Sequence, residues 1–368
     1  MTAQAQVRVD GDALRSNLAR VRSVAPGTRV MAVVKANAYG HGITQVTRAL
    51  KDADGFAVAR MSEAIAVRQA GIRTPILLLE GLMLPRELDL AARERIDLVV
   101  HRDDQIDMLR AYRGAGRFRV WLKIDTGMNR LGFRLESAAQ AHRALCSIDC
   151  VDQPVTLMTH FACADNADST HTERQQREFE AATAGWAGLR SLANSAAVLA
   201  HPDSHRDWVR PGLMLYGVSP VAGLSADSYG LTPAMTLWSR VIAVKSIQAG
   251  ETVGYGGTWQ APRDSVIGIV AAGYGDGYPW RLPSGTPVLI RGRAAPTVGR
   301  VSMDMLAVEL GDRPDVAVGD RAVLWGPGLG VDRLAARLET LPYELLCGIS
   351  QRVRIDITHP TADTALAG

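Results

Sequence analysis

The sequence predicts an α/β fold: an N-terminal (β/α)8 barrel of the TIM type followed by a mainly β domain. Three observations carry this reading. Over the first two thirds of the chain, short apolar, β-branched runs alternate with Ala-, Arg- and Glu-rich stretches of helical spacing. The runs are continuously apolar, as strands covered on both faces are. After about residue 230 the helical texture fades, and Gly and Pro separate the apolar runs.

The elements follow in order. The first run is Thr28–Lys35 (TRVMAVVK). Next come Gly55–Ala59, Pro75–Glu80 (PILLLE), Ile96–Val100 and Phe118–Asp125 (FRVWLKID). Pro154–His160, Leu189–Asn194 and Trp208–Tyr216 complete the set. Ile43–Lys51, Ser62–Ala70, Pro85–Arg93 and Thr172–Gly185 are expected helices between them. Eight βα units in roughly 220 residues suit a closed barrel better than an open sheet. The seventh run is only weakly apolar. Gly217–Gly230, with Pro220 and three serines, reads as a linker, giving a barrel over 1–228 and a β domain over 229–368. Strands are expected there at Thr236–Ile247, Val266–Ala271, Thr286–Ile290, Met305–Leu310 and Arg321–Leu324.

Composition excludes several classes. A chain of 368 residues has a two-domain prior. With 47% hydrophobic and 21% charged residues it is neither disordered nor a small disulfide scaffold. Lys and Arg total 41 against 38 Asp and Glu, and a formal charge of +3 gives no electrostatic case for nucleic acid or an anionic membrane. No apolar run approaches the ~18 residues of a membrane helix. The N-terminus MTAQAQVRVDGDALRSN has no signal-peptide core, so a cytoplasmic protein is expected. Cys146, Cys150, Cys163 and Cys347 form no CxxC pair, and Cys146 and Cys150 are expected on a buried helix end. His171, His201 and His205 lack a third ligand at metal spacing, so no metal site is expected. GxGxxG at the first strand, GK[ST], HExxH and GxSxG are all missing.

The strongest local signal is VVKANAYGHG, Val33–Gly42, where a lysine ends the first strand and a loop follows at once. Catalytic groups of barrels sit at the C-terminal ends of strands. Lys35 is either a lysine reaching solvent or a Schiff-base lysine with a pKa lowered by burial. His160 and Arg210 stand at the ends of the sixth and eighth runs. Taken alone, His160 is equally a satisfied core histidine, Arg210 reads as pairing a phosphate or carboxylate within a site, and GYGGTW around Tyr255 reads as a tight turn with an aromatic staple.

With further segments in order, VVKANAYGHG resembles the cofactor-lysine motif of the alanine racemases, fold-type III pyridoxal-phosphate enzymes. Those segments are WLKIDTGMNRLG (121–132), MTHFACAD (158–165), Asn194-Ser195, RPGLMLYG (210–217), GYGGTW (254–259), GYGDGYP (273–279), GRVSMDM (299–305) and YELLC (343–347). The resemblance spans the whole chain. It implies that Lys35 holds pyridoxal 5'-phosphate. Tyr39, Ser195, Tyr343 and the backbone at Gly212 and Leu213 would bind its phosphate. His160 would pack on the ring, and Arg210 would face the ring nitrogen. A guanidinium stays protonated, so that nitrogen stays unprotonated, which suits simple proton exchange.

Arg130 would bind the substrate carboxylate. Lys123, seven positions earlier, is the residue that can be carbamylated in the family. Tyr255 would be the second base, supplied by the partner of a homodimer with shared sites. Met303 and Asp304 would shape the partner's pocket. Asp165, Tyr274, Arg300 and Leu341 would line the entrance. There Trp280 precedes Arg281, where many relatives carry Arg directly after GYGDGYP. The implied activity is racemisation of L- and D-alanine. The alternatives are a racemase of another small amino acid such as serine, or a fold-type III decarboxylase.

Overall fold

The computed structural model describes residues 4–166, 170–221, 223–311 and 315–358. Two compact units emerge. One comprises Leu14–Ala38 and Ile43–Leu231; the other comprises the segment ending at Ala13, Tyr39–Gly42, and the chain from Thr232 onward.

The first unit is a parallel barrel. Its strands are Arg29–Val33, Gly55–Val58, Ile76–Leu78, Ile96–Val100, Val120–Asp125, Thr156–Met158, Arg190–Ser191 and Trp208–Val209. Each pairs in parallel with the next, as Met31 with Gly55 and Leu98 with Val120. Trp208–Val209 pairs back onto Arg29–Val33. The remaining seam closes through Asp207 N to Arg190 O at 3.1 Å and Arg210 N to Ala193 O at 2.9 Å. The weak seventh run forms a strand of only two residues, and closure there falls to loop backbone. Strand residues such as Phe56, Ile76 and Leu77 are fully buried. Each such side chain stabilises the fold by about 1.5–3 kcal/mol.

The N-terminal rim of this barrel is tied by Arg68. Its guanidinium donates to the carbonyls of Glu94, Ile72, Thr74 and Arg95 at 2.7, 3.2, 2.7 and 2.8 Å. Beside it the buried Asp97 carboxylate pairs with Arg119 at 2.9 Å. Burial pushes the Asp97 carboxyl up to about 6, against the pull of Arg119.

The second unit is built on an eight-stranded sheet. Its order is Ser265–Val270, Leu306–Glu309, Arg293–Val298, Pro287–Ile290, Arg321–Trp325, Met235–Ile247, Gln6–Asp10 and Arg354–Thr358. Here the expected partition is corrected. Gln6–Asp10, placed within a barrel over 1–228, instead pairs antiparallel with Met235–Ile247 and parallel with Arg354–Thr358. The reason is visible in QVRVD: Val7 and Val9 are buried while Arg8 is exposed, the alternation of a strand with one solvated face. Arg293–Val298, Arg354–Thr358 and two short helices, Val331–Arg337 and Pro342–Cys347, join the expected strands.

A second correction concerns Cys146. It ends helix Leu135–Cys146 but is exposed, and Cys150 is only half-buried. Among the described residues no helix is long and apolar enough to cross a membrane.

Candidate active site

The lysine motif folds in an uncommon way. The first barrel strand ends at Val33, and Ala36, Asn37, Ala38 and Tyr39 then run left-handed, with φ between 52 and 54°. Each non-glycine residue there costs roughly 1–2 kcal/mol relative to the right-handed form. Specific bonds hold the turn. Tyr216 Oη donates to Val33 O at 2.9 Å, Ala36 N donates to Glu63 Oε1 at 2.6 Å, and Ile43 N donates to Asn37 Oδ1 at 2.9 Å. Such strain collects at functional sites, where the surroundings over-determine it. Glu63 was not legible in the sequence; its other oxygen accepts from Ala59 and Arg60 N, so one carboxylate fixes two loops.

Lys35 follows the first strand of the barrel, and Lys123 lies in the fifth, an all-buried strand. Arg130 is exposed on the loop after that fifth strand, and Arg210 follows the eighth. All four are at the C-terminal ends. Their charges act on one another: burial first, then Arg210, Arg130 and Lys35, pull the Lys123 ammonium down to about 7. Asp125 offsets this only as the last of these influences, and its Oδ1 accepts from Gly127 N and Asn129 N at 3.0 Å each.

Arg210 is buried, which lowers it to about 10, so it remains charged at neutral pH. It donates to Ser191 Oγ at 2.5 Å, Thr159 O at 2.6 Å and Leu192 O at 3.2 Å. Its Nη2 also lies 3.4 Å from His160 Nδ1. A guanidinium can only donate, so that nitrogen accepts and the imidazole is neutral. Burial, then Arg210, Lys123, Arg130 and Lys35, hold His160 well below its ordinary value. The buried Gln175 fixes His160 further: its amide donates to His160 O and Thr126 Oγ1, and its carbonyl accepts from Ala162 N. Gln175 was also missed, since a glutamine in a helix carries no sequence signal of burial.

Ser195 opens helix Ser195–Ala200, with Asn194 capping it through Ala197 N. The buried Ser195 Oγ accepts from Gly212 N at 2.7 Å. Gly212 in turn caps the 3-10 turn Leu213–Tyr216. Helix-end amides and a hydroxyl so gathered suit an anionic group. Asp165 is exposed on the loop after the sixth strand.

The second unit holds the other expected residues. Tyr39 is buried beside Tyr343, with ring centroids 5.6 Å apart. Burial, Tyr343 and Cys347 raise the Tyr39 phenol far above its usual range, so it remains a neutral donor. Gly40 is required next: a Cβ there would stand 2.1 Å from Leu346 O, and its φ is +78°. Tyr255 is 70% exposed on the 3-10 turn Tyr255–Gly257, which runs beside Arg300. Tyr274, Trp280, Met303 and Leu341 are also exposed apolar side chains, and Asp304 adjoins Met303. Among the described residues no group of three His, Cys, Asp or Glu could hold a metal ion.

Fold and site together define a barrel enzyme with cationic side chains at the C-terminal ends of its strands. The "Alanine racemase, N-terminal domain" model matches residues 9–220, and the "Alanine racemase, C-terminal domain" model matches 234–357. The alanine racemase of Shewanella loihica is 49% identical over 350 residues, 95% of this chain and 98% of that one. The alanine racemase of Edwardsiella ictaluri is 50% identical, with 95% and 96% covered. The crystal structure of the biosynthetic alanine racemase from Pseudomonas aeruginosa superposes with a TM-score of 0.93 at 47% identity, covering 97% of this chain and all of that one. The chain belongs to the alanine racemase family.

Proposed function

We propose that this chain interconverts L- and D-alanine with pyridoxal 5'-phosphate, and that its working form is a homodimer with shared active sites. The observation that carries the reading is the set of four cations, Lys35, Lys123, Arg130 and Arg210, at one barrel mouth, where burial and the other three pull Lys123 down further than Asp125 holds it up. A mouth of that charge suits an anionic ligand.

The donor set fits the cofactor. Lys35 is the amine that would hold it. Ser195 Oγ, the amides of Gly212 and Leu213, and the phenols of Tyr39 and Tyr343 would take its phosphate, and neutral His160 would lie on its ring. When bound, the cofactor supplies an electron-withdrawing ring that makes the Cα proton of an amino acid removable.

The chain's own groups would do the rest. Arg130 would grip the substrate carboxylate with its planar fork. Arg210, a pure donor, would keep the ring nitrogen unprotonated and so restrict the reaction to proton exchange. Lys35 would move the proton on one face of Cα, and Tyr255 of the partner subunit on the other, since inversion needs bases on opposite sides. Met303 and Asp304 would close the partner's pocket, and Asp165, Tyr274, Trp280, Arg300 and Leu341 would line its entrance. The neutral fraction of Lys123 near pH 7 favours its carbamylation, which would replace a repelling cation by an anion facing Arg130. Four cysteines outside any disulfide suit a reducing, cytoplasmic setting.

Proton NMR of alanine in D2O tests the two-base assignment. Wild type is expected to wash deuterium into Cα of both enantiomers. Tyr255→Phe is expected to lose exchange from one enantiomer by about 10²–10⁴-fold while keeping the visible band of bound cofactor. Equal loss of exchange from both enantiomers, with the cofactor gone, would make Tyr255 structural.

A further inference from the structure

Arg352 lies in the second unit, just ahead of strand Arg354–Thr358, and no role above includes it. Its Nε donates to Asp276 Oδ1 and its Nη1 to Asp304 Oδ1, both at 2.8 Å, while Nη2 donates to Met303 O at 3.3 Å. Asp276 is buried, and its second oxygen accepts from Gly273 N at 2.9 Å. Tyr274 N donates to Ser302 O at 3.1 Å, and Gly275 N to Met303 O at 2.9 Å. One guanidinium therefore joins two loops, Gly273–Gly277 and Ser302–Asp304, at three points.

The glycines of GYGDG permit this contact. A Cβ on Gly273 would stand 2.3 Å from the carbonyl oxygens of both Ser302 and Met303. A Cβ on Gly275 would stand 2.6 Å from Arg352 Nη2. The loops are thus held by backbone and guanidinium bonds anchored on the buried Asp276. Tyr274 and Met303 remain 42% and 54% exposed. A side chain so presented keeps its direction only while its backbone is clamped.

We infer that Arg352 is a positioning residue for alanine recognition, clamping the Tyr274 and Met303–Asp304 loops of one subunit in the shape that the partner's substrate pocket requires. The inference rests on the proposed placement of Met303 and Asp304 in that pocket. Lysine is a poor substitute, because one ammonium lacks the planar fork that bonds two carboxylates and a carbonyl together.

The test uses the cofactor-loaded dimer, with Arg352→Gln, Arg352→Lys and Met303→Ala compared to wild type. Alanine kinetics, the visible band of bound cofactor and sedimentation are measured for each. Arg352→Gln is expected to raise KM for alanine about tenfold, with kcat held within about threefold and the cofactor band and dimer unchanged. Arg352→Lys is expected to recover only part of the KM. An unchanged KM in Arg352→Gln beside a raised KM in Met303→Ala overturns the role of Arg352. So does a loss of dimer that accounts for the whole kinetic change. An unchanged KM in Met303→Ala overturns instead the placement of Met303, and with it the ground for the inference. Should Arg352→Gln fail to fold, Asp276→Asn weakens the clamp at the arm that has no place in the pocket, and an unchanged KM there overturns the role equally.

Discussion

The two rims of the barrel carry the same residue types to opposite ends. At the N-terminal rim Arg68 bonds four carbonyls, and Arg119 faces the buried Asp97. At the C-terminal rim the neighbours that act most on Lys123 are Arg210, Arg130 and Lys35, all cations. The strained left-handed turn is at that end too. One rim bonds its cations to carbonyls and a carboxylate of the protein. The other gathers cations at the strand ends where barrels carry their chemistry.

The comparison can be broken by mutation, and the largest effect is expected at the N-terminal rim. Arg68→Ala removes a charged donor from four carbonyls and is expected to destabilise by roughly 3 kcal/mol. Urea unfolding would show the loss, with activity per folded molecule unchanged. A fall in activity at full stability would mean that the rims are coupled.

A smaller effect separates the rims by the sign of their pH dependence. The folded Lys123 titrates at about 7 against an ordinary 10.5, so burying its charge costs stability below pH 7, and the cost fades between 7 and 10.5. Lys123→Met should therefore raise the apo-protein Tm at pH 6 and lose that gain by about pH 10. Asp97 runs the other way. Its folded carboxyl titrates at about 6 against 3.8, so the cost is full above pH 6 and fades as pH falls to 3.8. Asp97→Asn should gain at pH 7.5 and nothing at pH 4, read by calorimetry in the same series. Matching slopes for the two variants would contradict the contrast.

The smallest effect sharpens the picture of the strained turn. Glu63→Gln leaves one carbonyl oxygen where two carboxylate oxygens accepted from Ala36, Ala59 and Arg60 N. The expected loss is about 1 kcal/mol, with a severalfold fall in kcat, because the turn beside Lys35 loosens. Thermal melts and kcat together would check it; a stability loss with kcat intact would show that the turn holds itself.

Much of the barrel was legible because its strands are continuous apolar runs, and those of Gly55–Val58 and Ile96–Val100 stand out from their neighbours. The two-residue strand Arg190–Ser191 was weak for the reason the structure gives: the loop backbone beside it shares the closing bonds. Gln6–Asp10 was misplaced by its position in the chain, although its alternation already told of a different sheet. Lys35, Ser195 and Arg210 stood out because they lie in segments that resemble the motifs of the family. Glu63, Gln175 and Arg352 were not, because each acts by bonding to backbone groups distant in sequence, and no spacing announces such a partner.

By itself the sequence determined the two-part architecture, the family to which the chain belongs and the identities of the groups that would carry chemistry. The architecture follows from periodicity, and the family with its expected groups from the resemblance of motifs in their order along the chain. Only the tertiary structure decided that Ala36–Tyr39 turns left-handed, that His160 is neutral and that Lys123 titrates near 7. Those are properties of burial and of charges converging from separate strands, and electrostatic energy depends on distance in space, which the order of residues along the chain does not contain.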